Sequence, residues 1–197
     1  FLHSQVTNDV QGLAVGQGNE SARVSRTGHL LHLFSLHRVG DREFLLLCEG
    51  AGVPALMDAL EGMHFADDLT ITDASGDWSW VAVQGPRAQA VVEAVHGERA
   101  GALGPCGVLA VAGGLVVRRS LTGDVGFLVA HTDGPAPAVV QAATDAGFVQ
   151  VDTPTFGAAL EVLRIEAGLP RVGPDTPRKA LLPETGLEGR TVSYTKG

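Results

Sequence analysis

HLLHLFSLHRVGDREFLLLC, residues 29–48, decides the fold. His29–Val39 and Glu43–Cys48 are two strand-length, apolar-rich runs, and Gly40-Asp41 between them suits a tight turn, so the segment predicts a β-hairpin. Working backwards, Ser21–Thr27 alternates Ala22 and Val24 with Arg23 and Arg26 and reads as a further strand, stopped by Gly28. Gly12–Asn19 carries three glycines and predicts a loop, and Thr7-Asn8-Asp9 offers side chains suited to a cap or turn. Working forwards, Val53, Leu56, Met57, Leu60 and Met63 fall at helical spacing in Ala51–His64. Strands are predicted at Asp67–Asp73, Trp78–Val83, Val108–Ala112, Leu115–Arg119, Val125–Ala130, Phe148–Val151 and Arg190–Tyr194. Helices are predicted at Pro86–Val95, Ala136–Ala146 and Thr155–Ala167. Leu169–Glu188, with four prolines, predicts an extended loop.

Hairpins separated by helices predict an α+β fold: antiparallel sheets with helices packed on one face. A doubly wound parallel sheet would need single strands alternating with helices. The order of elements runs through roughly the same pattern twice, a pseudo-duplication without a sequence repeat. Two intertwined subdomains within 1–197 are expected, dividing near residue 85.

Composition narrows the function. The chain is 45% hydrophobic and 18% charged, so it can bury a core and is not a disordered tail. The formal net charge of −8 repels phosphate backbones, and Arg118–Arg119 is the one adjacent arginine pair. Direct nucleic-acid binding is therefore disfavoured. The longest apolar run, Gly107–Val117, is too short to cross a bilayer, so no membrane association is expected. Cys48 and Cys106 are far apart and lack CxxC spacing, which fits small core side chains in a reducing cytoplasm. The abrupt ends at Phe1 and Gly197 suggest a piece of a longer protein.

Few residues announce chemistry. His29, His32 and His37 lie on one strand, but His32 points to the opposite face from the other two, which disfavours a shared metal. Gly16-Gln17-Gly18 lacks the following helix and Lys-Ser/Thr of a nucleotide loop. Gln84-Gly85-Pro86 marks a strand-to-helix turn, where Pro sets the first helical φ. Thr122-Gly123-Asp124-Val125-Gly126 reads as a hairpin turn. Arg164 can pair with Glu161 on the same helix or meet a carboxylate elsewhere, and a buried structural ion pair is the expected outcome. Lys196 stands out because the chain has only two lysines against twelve arginines.

In order along the chain, these segments resemble the YgfZ and T-protein superfamily. Gln5-Val6-Thr7-Asn8-Asp9-Val10 is similar to its early Q-x-T-x-D-V segment. Gly28–Asp41 is similar to the strand and turn that follow, and Gln84-Gly85-Pro86 to its Gln-Gly-Pro turn. Thr122–Phe127 resembles a reduced TGExGFE hairpin. Arg164–Pro170 resembles the Arg-Leu/Ile-Glu-Ala-Gly segment. Leu182-Pro183-Glu184 through Val192–Gly197 resembles the approach to the YgfZ signature KGCYxGQE.

The resemblance implies a T-protein-like folate-binding fold with tetrahydrofolate as a possible, weakly held ligand. It implies a role in iron–sulfur cluster maintenance, with iron–sulfur or tRNA-modifying client proteins as partners. The signature maps onto Lys196 and Gly197, with a Cys expected next and a β-barrel domain after it. Arg26 and Arg164 join Lys196 and Gly197 as candidate ligand-binding residues, through a ligand's glutamate tail. The resemblance also implies losses. The acidic pair of the aminomethyltransferases falls at His32-Leu33. Their folate-contacting Tyr and Glu fall at Leu121 and Leu128, and an Arg falls at Leu160. A leucine side chain neither donates nor accepts a hydrogen bond. Aminomethyl transfer is therefore not expected. A folate-dependent one-carbon transferase and a ligand-free interaction scaffold are the alternatives.

Overall fold

The computed structural model describes residues 1–197 except 49–51, 135, 151, 152, 178 and 197. It is an α+β protein whose sheets are all antiparallel. The chain divides into two compact units: Phe1–Ser75 with Arg171–Gly197, and Gly76–Pro170. A division at residue 85 would part a strand from its ladder partner, because Ser79–Gln84 pairs with Gly126–His131 inside the second unit.

The first unit begins with a one-turn helix, α1 (Leu2–Gln5), and builds a three-stranded meander from β1 (Gly18–Val24), β2 (Leu30–Arg38) and β3 (Phe44–Leu47). The predicted hairpin over 29–48 is the β2–β3 pair, in register from Ser35↔Leu47 to Arg38↔Phe44. Helix α2 (Val53–Glu61) starts with Pro54 in its first turn and turns Leu56 and Leu60 inward, one helical turn apart. With Phe34, Leu36, Val6 and Val10 they form the main core of this unit. A second cluster, Ala22, Leu30, Leu182 and Leu187, ties the returning segment to the sheet. Backbone bonds reinforce it: Leu30 N–H donates to Ala180 O at 2.9 Å, and Ser193 N–H donates to Thr7 O at 3.1 Å.

The second unit has a four-stranded sheet in the order β4-β7-β6-β5: β4 (Ser79–Gln84), β5 (Val108–Val111), β6 (Gly114–Arg118) and β7 (Gly126–His131). Its helices are α3 (Ala88–His96), α4 (Glu98–Gly101), α5 (Pro137–Asp145) and α6 (Thr153–Glu166). Val91 and Val92 of α3 and Val139 of α5 pack with Val83, Val116, Phe127 and Val129 of the sheet. Burying one such side chain contributes about 1.5–3 kcal/mol. The repeat common to both units is a three-strand meander followed by a helix, β1-β2-β3-α2 and β5-β6-β7-α5, with β4 added to the second sheet.

Three predicted strands are absent from the described residues. Residues 67–73 are irregular: Asp67, Asp68 and Asp73 suit turns better than a ladder, and Asp73 Oδ1 accepts from Ser75 N–H at 2.9 Å. Residues 148–150 carry no strand, and Phe148 N–H closes the end of α5 on Ala143 O at 2.8 Å; Val151 lies outside the described residues. Arg190–Tyr194 is not a strand either. Glu188–Thr191 forms a helical turn in which Thr191 Oγ1 donates to Leu187 O at 2.9 Å, and residues 192–194 are irregular.

Candidate functional site

In the second unit, the motif residues hold one another. Gln84 ends β4, and its carboxamide reaches into the Ser120–Gly126 loop. Oε1 accepts from Leu121 N–H at 2.8 Å and Nε2 donates to Arg119 O at 3.2 Å. Gly126 leaves the room this needs: a Cβ there would sit 2.6 Å from Gln84 Cδ and Nε2. Gly123, at φ 90, runs against the end of α6, where a Cβ would lie 2.6 Å from Ala167 Cβ. Three stretches far apart in sequence are thus one packed junction. Leu121, Leu128 and Leu160 are each half-buried in this unit. Thr122 Oγ1 is buried with no hydrogen-bond partner among the described residues.

Arg164 is 5% exposed, while Val162 and Ile165 of the same helix face solvent. Its Nε donates to Glu161 Oε2 at 2.8 Å, Nη2 donates to Glu161 Oε1, and Nη1 donates to Leu169 O at 3.0 Å. The guanidinium therefore ties α6 to the Gly168 turn that ends it.

In the first unit, Lys196 lies along α1 and donates to the carbonyls of His3 and Val6. Burial pushes its ammonium pKa down, opposed by the Asp9 carboxylate. Asp9 Oδ1 accepts from Gln11 N–H at 2.9 Å and lies 3.3 Å from His3 Nδ1. Thr7 Oγ1 donates to Thr191 O at 2.6 Å, and Asn8 Nδ2 to Glu20 O at 2.8 Å. The Gln5–Val10 motif and Lys196 thus fasten the two sequence-distant parts of this unit together. Arg26 sits exposed in the turn between β1 and β2. Gly197 lies outside the described residues.

The three strand histidines go to three environments. Thr27 Oγ1 and His29 Nδ1 share a hydrogen bond of 2.9 Å in the turn. His37 is fully buried, and its Nε2 shares a 2.8 Å bond with Ser35 Oγ. His32 is half-buried opposite Arg23, and desolvation first, then the Arg23 charge, hold its pKa below the usual value. No group of three metal-ligating side chains occurs among the described residues. No helix among them is long and apolar enough to cross a membrane.

Sequence reasoning did not single out Arg23. The available signal was hairpin register, which sets Arg23 directly across from His32.

Comparison with known proteins agrees with this architecture. The chain is 29% identical over 208 residues to the aminomethyltransferase of Corynebacterium jeikeium, covering 95% of this chain and 53% of that protein. It is 26% identical over 201 residues to the aminomethyltransferase of Bacillus subtilis, covering 100% and 55%. Among solved structures, the glycine cleavage system aminomethyltransferase T from Bartonella henselae superimposes with a TM-score of 0.67 at 25% identity, over 85% of this chain and 45% of that one. The chain thus spans about half the length of these relatives. Residues 1–196 match the family described as the GCVT N-terminal domain, and the chain belongs to that family.

Proposed function

We propose that the chain is the folate-binding-type region of a YgfZ-branch protein. It serves iron–sulfur cluster maintenance and linked tRNA modification in the cytoplasm through client proteins, and does not transfer aminomethyl groups. What supports this reading is the resemblance, which sets His32-Leu33 at the place of the transferases' acidic pair, together with the register that puts His32 opposite Arg23 rather than a carboxylate. Proton handling at a folate nitrogen needs an acid or base of suitable pKa within reach, and a carboxylate is missing there.

Tetrahydrofolate fits the residues present only loosely. The side chains of Leu121, Leu128 and Leu160 offer no hydrogen bonds, while Thr122 Oγ1, next to Leu121 in the chain, is a buried polar group with no partner among the described residues. Three missing bonds to polar or charged ligand groups, at about 1.5–3 kcal/mol each, weaken binding by about three to six orders of magnitude. Calorimetric titration of the full-length protein with tetrahydrofolate tests this. Weak or undetectable binding is expected, and a sub-micromolar Kd would refute the loss of the pterin contacts.

One observation favours a second reading, an aminomethyltransferase with a rearranged site. His32 is half-buried, and desolvation first, then the Arg23 charge, hold its pKa below the usual value, which favours the neutral ring with its free acceptor nitrogen. The names of the matched relatives point the same way. Methylene-tetrahydrofolate formation from an aminomethylated lipoyl carrier separates the two. Background turnover supports the YgfZ reading, and turnover that His32→Gln abolishes establishes the transferase.

A further inference from the structure

Arg23 and His32 are paired residues of β1 and β2, so both side chains stand on one face of the sheet. The register shifts between Arg23 and Val24, a bulge that interrupts the regular ladder beside the guanidinium. Burial and the Arg23 charge hold His32 toward its neutral form, so the pair carries the one positive charge of the guanidinium, which an anion beside it would balance. The protein supplies none: among the described residues no carboxylate pairs with Arg23.

The hydrogen bonding of the guanidinium is also incomplete. Nη2 reaches Gln5 Oε1 at a long 3.4 Å, while Nη1 is buried with no partner among the described residues. A guanidinium stays charged and presents its donors as a planar fork. Leaving such a donor buried and unpaired is costly, so a group that supplies acceptors there binds favourably.

We propose that Arg23 and His32, with Gln5 at the edge, form a binding site for the carboxylate of a small organic acid. Charge selects the class of anion. One guanidinium beside a neutral imidazole balances a single negative charge, which suits a carboxylate better than a phosphate near −2. Gln5 and His32 lie within segments that carry the family resemblance and Arg23 does not; a carboxylate held by the Arg23 fork does not require the pterin contacts assigned to the positions of Leu121, Leu128 and Leu160.

The probes are benzoate and inorganic phosphate, titrated into the full chain in chloride-free buffer at constant ionic strength. The readouts are the Arg23 Nε–Hε and His32 ring NMR resonances. Saturable shifts of both with benzoate are expected, with phosphate weaker. Arg23→Gln should weaken benzoate about ten- to hundred-fold, the loss of one charged hydrogen-bonded partner. Arg23→Lys, which keeps the charge and loses the fork, should fall between. Shifts that grow linearly without saturation, or equal affinity in Arg23→Gln, would overturn the site. Tighter phosphate binding would overturn the ligand class. Should Arg23→Gln not fold, Arg23→Lys and the unaltered protein's resonances decide: unchanged affinity in Arg23→Lys, or no response at Arg23, refutes the proposal.

Discussion

Gln84 and Gly126 face each other across β4 and β7, and their substitution energies should not add. In register the two residues are direct partners. Gln84→Ala removes the acceptor for Leu121 N–H, at 2.8 Å, and the donor to Arg119 O, at 3.2 Å. At about 1 kcal/mol net per bond, the loss is about 2 kcal/mol. Gly126→Ala acts by overlap instead: the new Cβ would lie 2.6 Å from Gln84 Cδ. Gly126 does not have a positive φ, so backbone conformation adds no penalty. Overpacking of this kind costs about 1–3 kcal/mol. The carboxamide cannot swing aside without giving up Leu121. In the double variant the obstructing group is gone, so Gly126→Ala should cost little beyond Gln84→Ala. Urea unfolding at constant m-value measures all four proteins. The double variant should sit near 2 kcal/mol, about 4–8 °C below the parent in Tm. A double-variant loss within about 0.5 kcal/mol of the two single losses added together would refute the interlocking of these motifs.

Gly114→Ala should cost about 3 kcal/mol or prevent folding, because its Cβ would overlap the Ala130 carbonyl across the β6–β7 ladder, where backbone cannot yield; expression and thermal melting report it. Gly157→Ala, inside α6 with open space around it, should raise stability by about 0.5–1 kcal/mol in the same melts. Lys196→Met should release α1: faster amide exchange at Ser4 and a fall in Tm are expected, and unchanged exchange would show that the His3 and Val6 carbonyls do not need the ammonium. Acid should destabilise the protein. His96, by desolvation and then the nearby His131, and His32, by desolvation and then Arg23, have folded pKa values below the ordinary 6.5. The unfolded chain therefore binds protons first; stability is fully present above pH 6.5 and is lost as pH falls below it through the lowered values. His96→Gln should flatten the Tm–pH curve between pH 7.5 and 5.5.

The sequence made local structure legible wherever it carried its own punctuation. Gly40-Asp41 and Gly113-Gly114 sit between apolar runs, and both hairpins are present. Gly147 and Gly168, at φ 76 and 65, follow the ends of α5 and α6 near the residues expected. Composition misled at 67–73 and 190–194, where no neighbouring strand completes a ladder. A strand is a property of two segments, and period alone cannot name the second. Arg164 was legible as an ion pair because its partner lies one turn away on the same helix. Arg23 was not, because its surroundings come from Gln5 and His32, brought together only by the fold.

The first unit is interrupted: its chain leaves after Ser75 and returns at Arg171. On a ribosome, β1, β2 and β3 emerge well before Leu182 and Leu187, the side chains that cover Ala22 and Leu30. At about 5–20 residues per second, synthesis of the intervening Gly76–Pro170 takes about 5–20 s, during which that apolar face waits uncovered. The second unit is continuous in sequence and can fold during this wait. Once folded, it holds its own ends at a fixed separation, and the entropy of closing a long flexible loop no longer opposes docking of the returning segment. A destabilised second unit would therefore slow completion of the first without touching one of its side chains.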